Sequence, residues 1–181
     1  MTQSHEDRGA AAIEMALTIG LLLMIAIGAF EYGMAFRDWL SVNQSTREGV
    51  RLAANSGDHP NADCLILEAT AGALQSLRSS TPAEVWIYES DTDGTVTANR
   101  QRYRPAIASD TTNLLTCNGV TWKRLQDSWP ANQRDNDGSE RDWIGVRVIF
   151  DYEWITGFLM WNGTTTWTDD AVMHMEPAVD F

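Results

Sequence analysis

Basic residues are scarce in this sequence, and lysine is almost missing. Lys123 is the sole lysine in 181 residues, and 13 Lys and Arg stand against 25 Asp and Glu, for a formal net charge of −12. A surface of this sign repels phosphate backbones and lacks the basic patch that counterion release requires, which argues against nucleic acid as a partner. Histidine and cysteine are equally thin. His5, His59 and His174 have no zinc-ligand spacing, and neither Cys64 nor Cys117 has a CxxC partner. A phosphate-cradling glycine loop and a nucleophile elbow are missing too. No residue set specifies a catalytic centre or a cofactor, so the chain reads as a non-enzyme without one.

What the chain does have is one long apolar run. Ala10 to Phe30 is AAAIEMALTIGLLLMIAIGAF, 21 residues with a single charge, Glu14. As a helix it spans about 31 Å, which matches the hydrocarbon core of a bilayer. A cleavable signal peptide fits poorly. The run is longer than an h-region of ~7–15 residues. Glu31, Tyr32 and Gly33 follow it, with no small-residue cleavage site. The lipid bilayer is therefore an expected partner, and the span is expected to be retained.

Flanking charge barely fixes the orientation, since Arg8 precedes the span and Arg37 follows it. The short leading tail favours a cytoplasmic N-terminus, and the two cysteines beyond the span agree. The expected division is a tail over 1–9, a helix over 10–56 that extends past the membrane, and an outer domain over 57–181. From Asp38 onward, 21 acidic residues face 11 basic ones. In an oxidising compartment Cys64 and Cys117 can pair; two separate buried thiols are the alternative.

Glu14 is the informative residue of the span. A carboxylate in the apolar layer costs roughly 2.5–3.5 kcal/mol on insertion scales, so it calls for a partner. Near the membrane edge it can instead reach headgroups or be protonated. Ala12, Ala16, Gly20 and Gly28 share a face on which a second helix can approach closely, although such residues are common in any membrane helix. Beyond the span, Phe36, Leu40, Asn43, Arg47, Val50 and Ala54 repeat at helical spacing. Gly57 supplies a C-terminal stop, with Pro60 just after it.

The outer part predicts an α+β fold, a small antiparallel sheet packed with helices. Asp63 to Ser79 reads as a helix with Leu65, Ala69, Ala73 and Leu77 in one stripe. Glu84 to Ser90 and Thr95 to Tyr103 read as strands joined by the Asp91–Gly94 turn, and Thr121 and Trp122 as extending a short strand near Cys117. Trp143 to Trp154 alternates most cleanly and predicts a strand with one buried face, and Asp169 to Pro177 closes the sheet. Asp135, Asp137 and Glu140 lie in a dense acidic turn, where oxygen ligands could hold calcium. The EF-hand pattern is not met, and a solvated turn is the plainer reading. Trp39 suits the outer membrane interface, and Trp161-Asn162-Gly163 looks like a loop tip.

Three segments resemble the TadE-like family of minor pilins, or pseudopilins, of tight-adherence pilus systems. Gly9 followed by Ala10-Ala11-Ala12-Ile13-Glu14 is similar to the prepilin-peptidase pattern, in which cleavage follows the glycine and glutamate becomes the fifth residue. Met15 stands where pilin-type subunits usually carry an aromatic residue. Glu31-Tyr32-Gly33 with Phe36 is similar to the family's acidic-aromatic-glycine segment. Arg47-Glu48-Gly49-Val50-Arg51 with Ala53-Ala54 looks like its arginine-glutamate-glycine signature.

The resemblance implies processing between Gly9 and Ala10. It also implies assembly through Glu14, with other pilin or pseudopilin subunits, the pilus assembly platform and a prepilin peptidase as partners. The expected place is then the bacterial cytoplasmic membrane, with the domain outside, and the pilus or cell surface beyond it. A membrane-anchored surface binding module or adhesin that never enters a filament is the alternative; Gly9 and Glu14 discriminate, because a plain anchor needs neither.

Overall fold

A computed structural model describes residues 3–74, 77, 79–137, 140–157 and 162–177; the side chains of residues 3–8 and of Ala73 lie outside that description. Helix α1 runs from Gln3 to Ser56 as one uninterrupted element of 54 residues. It meets no proline before Pro60 and ends where Gly57 takes a left-handed φ of 53°. Helix α2 (Ala62–Leu74) follows and packs on the second half of α1. The strands are β1 (Ser80–Ser90), β2 (Val96–Pro105), β3 (Leu114–Cys117), β4 (Val120–Asp127), β5 (Trp143–Glu153) and β6 (Thr164–His174). They form one antiparallel sheet in the order β3-β4-β2-β1-β5-β6. The α+β expectation holds: one helical layer covers one face of the sheet.

The alternation seen in the sequence of β5 is the alternation of its burial. Ile144, Val146, Val148, Phe150 and Tyr152 are all fully buried toward the helices. Val85 and Ile87 stand opposite Val148 and Val146 on β1, and Tyr103 stands opposite Val85 on β2, so the inner face is continuous across three strands. From the helical layer, Val50, Ala53 and Ala54 of α1 and Ile66 and Leu67 of α2 close the core.

The outer face of the sheet is polar. Trp86 lies there with the guanidinium carbons of Arg100, Arg102 and Arg147 at 4.8, 4.8 and 5.4 Å from its ring. Glu84 accepts hydrogen bonds from Arg102 and from the Trp86 indole.

One helical face differs from the sequence expectation, and a second was not specified by it. On α2 the buried residues among those described are Ala62, Asp63, Ile66, Leu67, Thr70 and Leu74, whereas Leu65 is exposed and Leu77 lies past the helix end. The segment Ala62–Leu74 is apolar nearly all round, so its periodicity carries no preferred side. On α1 beyond the span, Phe36, Leu40 and Arg47 face outward, while Glu31, Asp38, Ser45 and Thr46 are fully buried. Glu31, Asp38 and Ser45 each meet a partner in the domain, the Thr46 hydroxyl bonds the Val42 carbonyl of α1 itself, and Ala35, Val42 and Val50 are buried among them.

Cys64 and Cys117 form a disulfide with Cα atoms 5.3 Å apart, tying α2 to the edge strand β3. Nearby, Asp63 accepts a 2.6 Å hydrogen bond from the Tyr103 hydroxyl and pairs with the fully buried Arg134, whose guanidinium lies over Trp129. Burial, then the Asp63 charge, pushes the Tyr103 phenol well above its ordinary range.

Candidate functional site at the helix exit

The first residue after the apolar run is the most tightly held carboxylate of α1. Glu31 is fully buried. Its Oε1 accepts the backbone N–H of Ile155 at 2.7 Å, and its Oε2 accepts that of Thr156 at 2.9 Å. The Tyr152 hydroxyl donates to Oε1 at 3.4 Å. Burial alone would raise its pKa. The Thr156 hydroxyl, the two amides and Tyr152 outweigh that and hold the carboxyl below its ordinary value. The same pairing acts on Tyr152, whose phenol is pushed up to about 12 by burial and by the Glu31 and Asp38 charges. A single side chain thereby fastens the segment after β5 to the helix at the level where the apolar run ends.

Two more polar contacts follow along the same helix face. Asp38 Oδ2 accepts from the Ser79 amide and the Ser80 hydroxyl, both at 3.0 Å, at the entry to β1. Seven residues further, the Ser45 hydroxyl donates to the Thr70 carbonyl of α2 at 2.9 Å. Glu31, Asp38 and Ser45 repeat every two turns, which places them on one side of the helix. Asn43, beside that line, donates to Asp169 on β6 at 3.1 Å.

The outward side of the same turns is aromatic. Tyr32, Ala35, Phe36 and Trp39 of α1, with Trp167 and Thr168 of β6, line an open groove of about 380 Å³. Phe36 and Trp39 stack with centroids 5.9 Å apart, and Tyr32 meets the edge of Trp154 at 6.2 Å.

The remaining sequence candidates are dispersed along the chain. Ala10, Ala12, Glu14, Ala16 and Gly20 are exposed on the apolar half of α1, and Gly28 is half-buried. Glu14's carboxylate has no partner among the described residues of this chain; its carbonyl accepts the Thr18 hydroxyl at 2.8 Å. Of the arginine-glutamate-glycine segment, Arg47, Glu48 and Arg51 are exposed and Gly49 is buried. A Cβ on Gly49 would fall 2.6 Å from Thr70 Oγ1 and 3.3 Å from Val146 Cγ1, so glycine there permits α1 to approach α2 and β5.

In the acidic turn, the Asp135 carboxylate accepts the Asp137 amide at 2.9 Å, and Asp142 accepts the Asp135 amide at 2.7 Å. Among the described residues no three carboxylate, histidine or cysteine side chains converge as metal ligands; residues 138 and 139, between Asp137 and Glu140, lie outside the description, as does Trp161.

The sequence reading passed over the anchoring roles of Glu31 and Asp38. The available signal was the seven-residue spacing of 31, 38 and 45 on a helix whose apolar periodicity points elsewhere.

The arrangement defines a class: an α+β domain carried on one helix long and apolar enough to cross a membrane, as in single-pass membrane proteins. Within that class, residues 9–51 match the family model described as TadE-like protein, 43 of the 181 residues. The matched stretch contains Gly9, Glu14, the Glu31 anchor and the segment around Gly49. No curated protein and no solved structure matches the chain.

Proposed function

We propose that the protein is a minor pilin or pseudopilin-like component of a tight-adherence pilus assembly, acting by helix packing and surface contact. The observation that carries this is the position of Glu14: an exposed carboxylate, unpartnered among the described residues, inside an apolar helix that matches the TadE-like model from Gly9 onward. Cleavage after Gly9 would place the new ammonium of Ala10 one helical turn from Glu14. In a bundle, one subunit's Glu14 then neutralises a neighbour's N-terminus. Charge pairing in low dielectric offsets the insertion cost and sets the axial register between subunits. The partners are other pilin or pseudopilin subunits, the assembly platform and a prepilin peptidase.

The division into a tail over 1–9, a helix over 10–56 and an outer domain over 57–181 belongs to this reading, with the N-terminus in the cytoplasm and the domain outside. The Cys64–Cys117 disulfide supports that orientation, because such bonds persist in oxidising compartments.

Two measurements test the proposal. Intact mass of the chain from cells with a prepilin peptidase is expected to lack residues 1–9, and Gly9→Ala to retain them. A wild-type chain still beginning at Met1 would overturn processing. Glu14→Leu is expected to enter the membrane as well as wild type but to be lost from co-purified assemblies; normal co-purification sinks the pairing role.

A further inference from the structure

The exposed apolar surface of the protein does not stop where the span stops. Phe30, Tyr32, Phe36 and Ile155 are 55%, 54%, 59% and 47% exposed. Tyr32 and Phe36 border the groove beside Trp167, and Ile155 is held at the same level, because its amide bonds the Glu31 carboxylate one residue past Phe30. From Phe30 to Phe36 the helix climbs about 9 Å. The polar layer on each side of a bilayer's hydrocarbon core is roughly 5–7 Å thick, so these residues fall within it or at its rim for a helix of ordinary tilt.

Charge follows the same geometry. The two acidic residues of this stretch, Glu31 and Asp38, are turned inward and fully buried, leaving Arg37 as its exposed charge. In a chain of net charge −12 that is a local reversal, and it removes repulsion from anionic headgroups. Glu153, at the end of β5, is the exposed carboxylate nearest to Ile155 in sequence. The ring types fit as well, since tyrosine and tryptophan favour the headgroup level.

We propose that the outer domain rests on the bilayer: Tyr32, Phe36 and Ile155, with the aromatic groove beside them, form a collar in the lipid interface around the helix exit, positioned by the Glu31 anchor. The occupant of the groove is lipid. Continuity with the apolar span argues for this, because the face begins at Phe30, inside the segment that already needs lipid around it. The proposal rests on the membrane reading of α1 and is independent of any role in a pilus.

The described chain has no free cysteine, so an added one is a selective labelling point. The full chain, reconstituted in phosphatidylcholine nanodiscs, is spin-labelled singly at Phe36→Cys, Ile155→Cys, Leu22→Cys and Asn55→Cys, all exposed positions. Leu22 reports the span, and Asn55 lies about 36 Å past Glu31 along the helix. Collisions with oxygen, which concentrates in lipid, are compared with collisions with a water-soluble nickel chelate. The labels at 36 and 155 are expected to show an oxygen-to-nickel ratio several-fold above that at 55 and below that at 22. Ratios at 36 and 155 equal to that at 55 overturn the collar while leaving the span intact. Shielding from both reagents with spin–spin broadening also overturns it, and assigns the face to a second copy of the chain. A ratio at 22 equal to that at 55 removes the membrane reading, and the collar with it.

Discussion

Glu31→Leu is expected to destabilise the domain by about 3 kcal/mol, since two partly buried hydrogen bonds from backbone amides lose their acceptor, at a cost of roughly 1–3 kcal/mol for each amide left unpaired. Both oxygens of Glu31 are committed, to Ile155 and to Thr156, and leucine offers neither amide a replacement. Water can reach the segment after β5, where residues 155–157 are exposed, which keeps the loss toward the lower end of that range. For a domain of this size, 3 kcal/mol lowers the melting temperature by about 10 °C. Thermal unfolding of the full chain in detergent reads it directly. Glu31→Gln keeps one acceptor oxygen and should fall between the two.

The same site has a pH signature. The carboxyl is held below its ordinary value of 4.5, so the folded state binds its proton more weakly than the unfolded state does. The contribution is therefore present in full above about that value and is lost as pH falls through the folded pKa. Wild type should lose stability on acidification below 4.5 more steeply than Glu31→Gln, which has no proton to take up there. Parallel acid profiles would show that Glu31 does not hold the loop as a carboxylate.

Loss of the disulfide should have an effect of similar size. Cys64 and Cys117 are 53 residues apart, and closing a loop of that length is worth about 4 kcal/mol in the chain-entropy model, as an upper value. Strand β3 has only four residues and a single neighbour, β4, so little else secures that edge of the sheet. Cys64→Ser with Cys117→Ser, or wild type under reductant, should melt up to about 13 °C below the oxidised chain by the same conversion. The β3–β4 hairpin should be the first region to lose protection in hydrogen exchange. Coincident melting curves would mean that packing of α2 on the sheet holds the two ends without the bond.

How much of this could be read beforehand depended on which physical signal each element carries. Strand β5 was legible because its alternation and its burial have one cause, a sheet face pressed on helices. The apolar span and the pairing of Cys64 with Cys117 were legible for similar reasons: length against bilayer thickness, and two thiols in one compartment. A short strand was expected near Cys117, but the bounds of β3 and its hairpin with β4 were missed, although Asn118-Gly119 is a strong two-residue hairpin signal. The structure puts both residues at positive φ, 46° and 84°, as that turn demands. The spacing of Phe36, Leu40, Asn43, Arg47, Val50 and Ala54 marked α1 as continuing past the span but did not mark its inward face. Phe36 and Leu40 point out, while Asp38 finds Ser79 and Ser80 about 40 residues along the chain. A partner so remote in sequence leaves no local trace beside the aspartate itself. Of the candidate site, Glu14 and Gly49 stood out in sequence, but only coordinates reveal that Gly49 faces Thr70.

The unbroken course of α1 sets how force and rotation pass between membrane and domain. No proline or loop separates Phe30 from Val42, and within that stretch Glu31 and Asp38 already clamp the sheet. There is no joint at which the domain can swivel. Turning the apolar segment by one residue sweeps the sheet through about 100° around the helix axis. A pull on the domain arrives in the span as tension along its hydrogen-bond ladder rather than as bending at a linker. A helix built this way behaves as an axle keyed to its wheel.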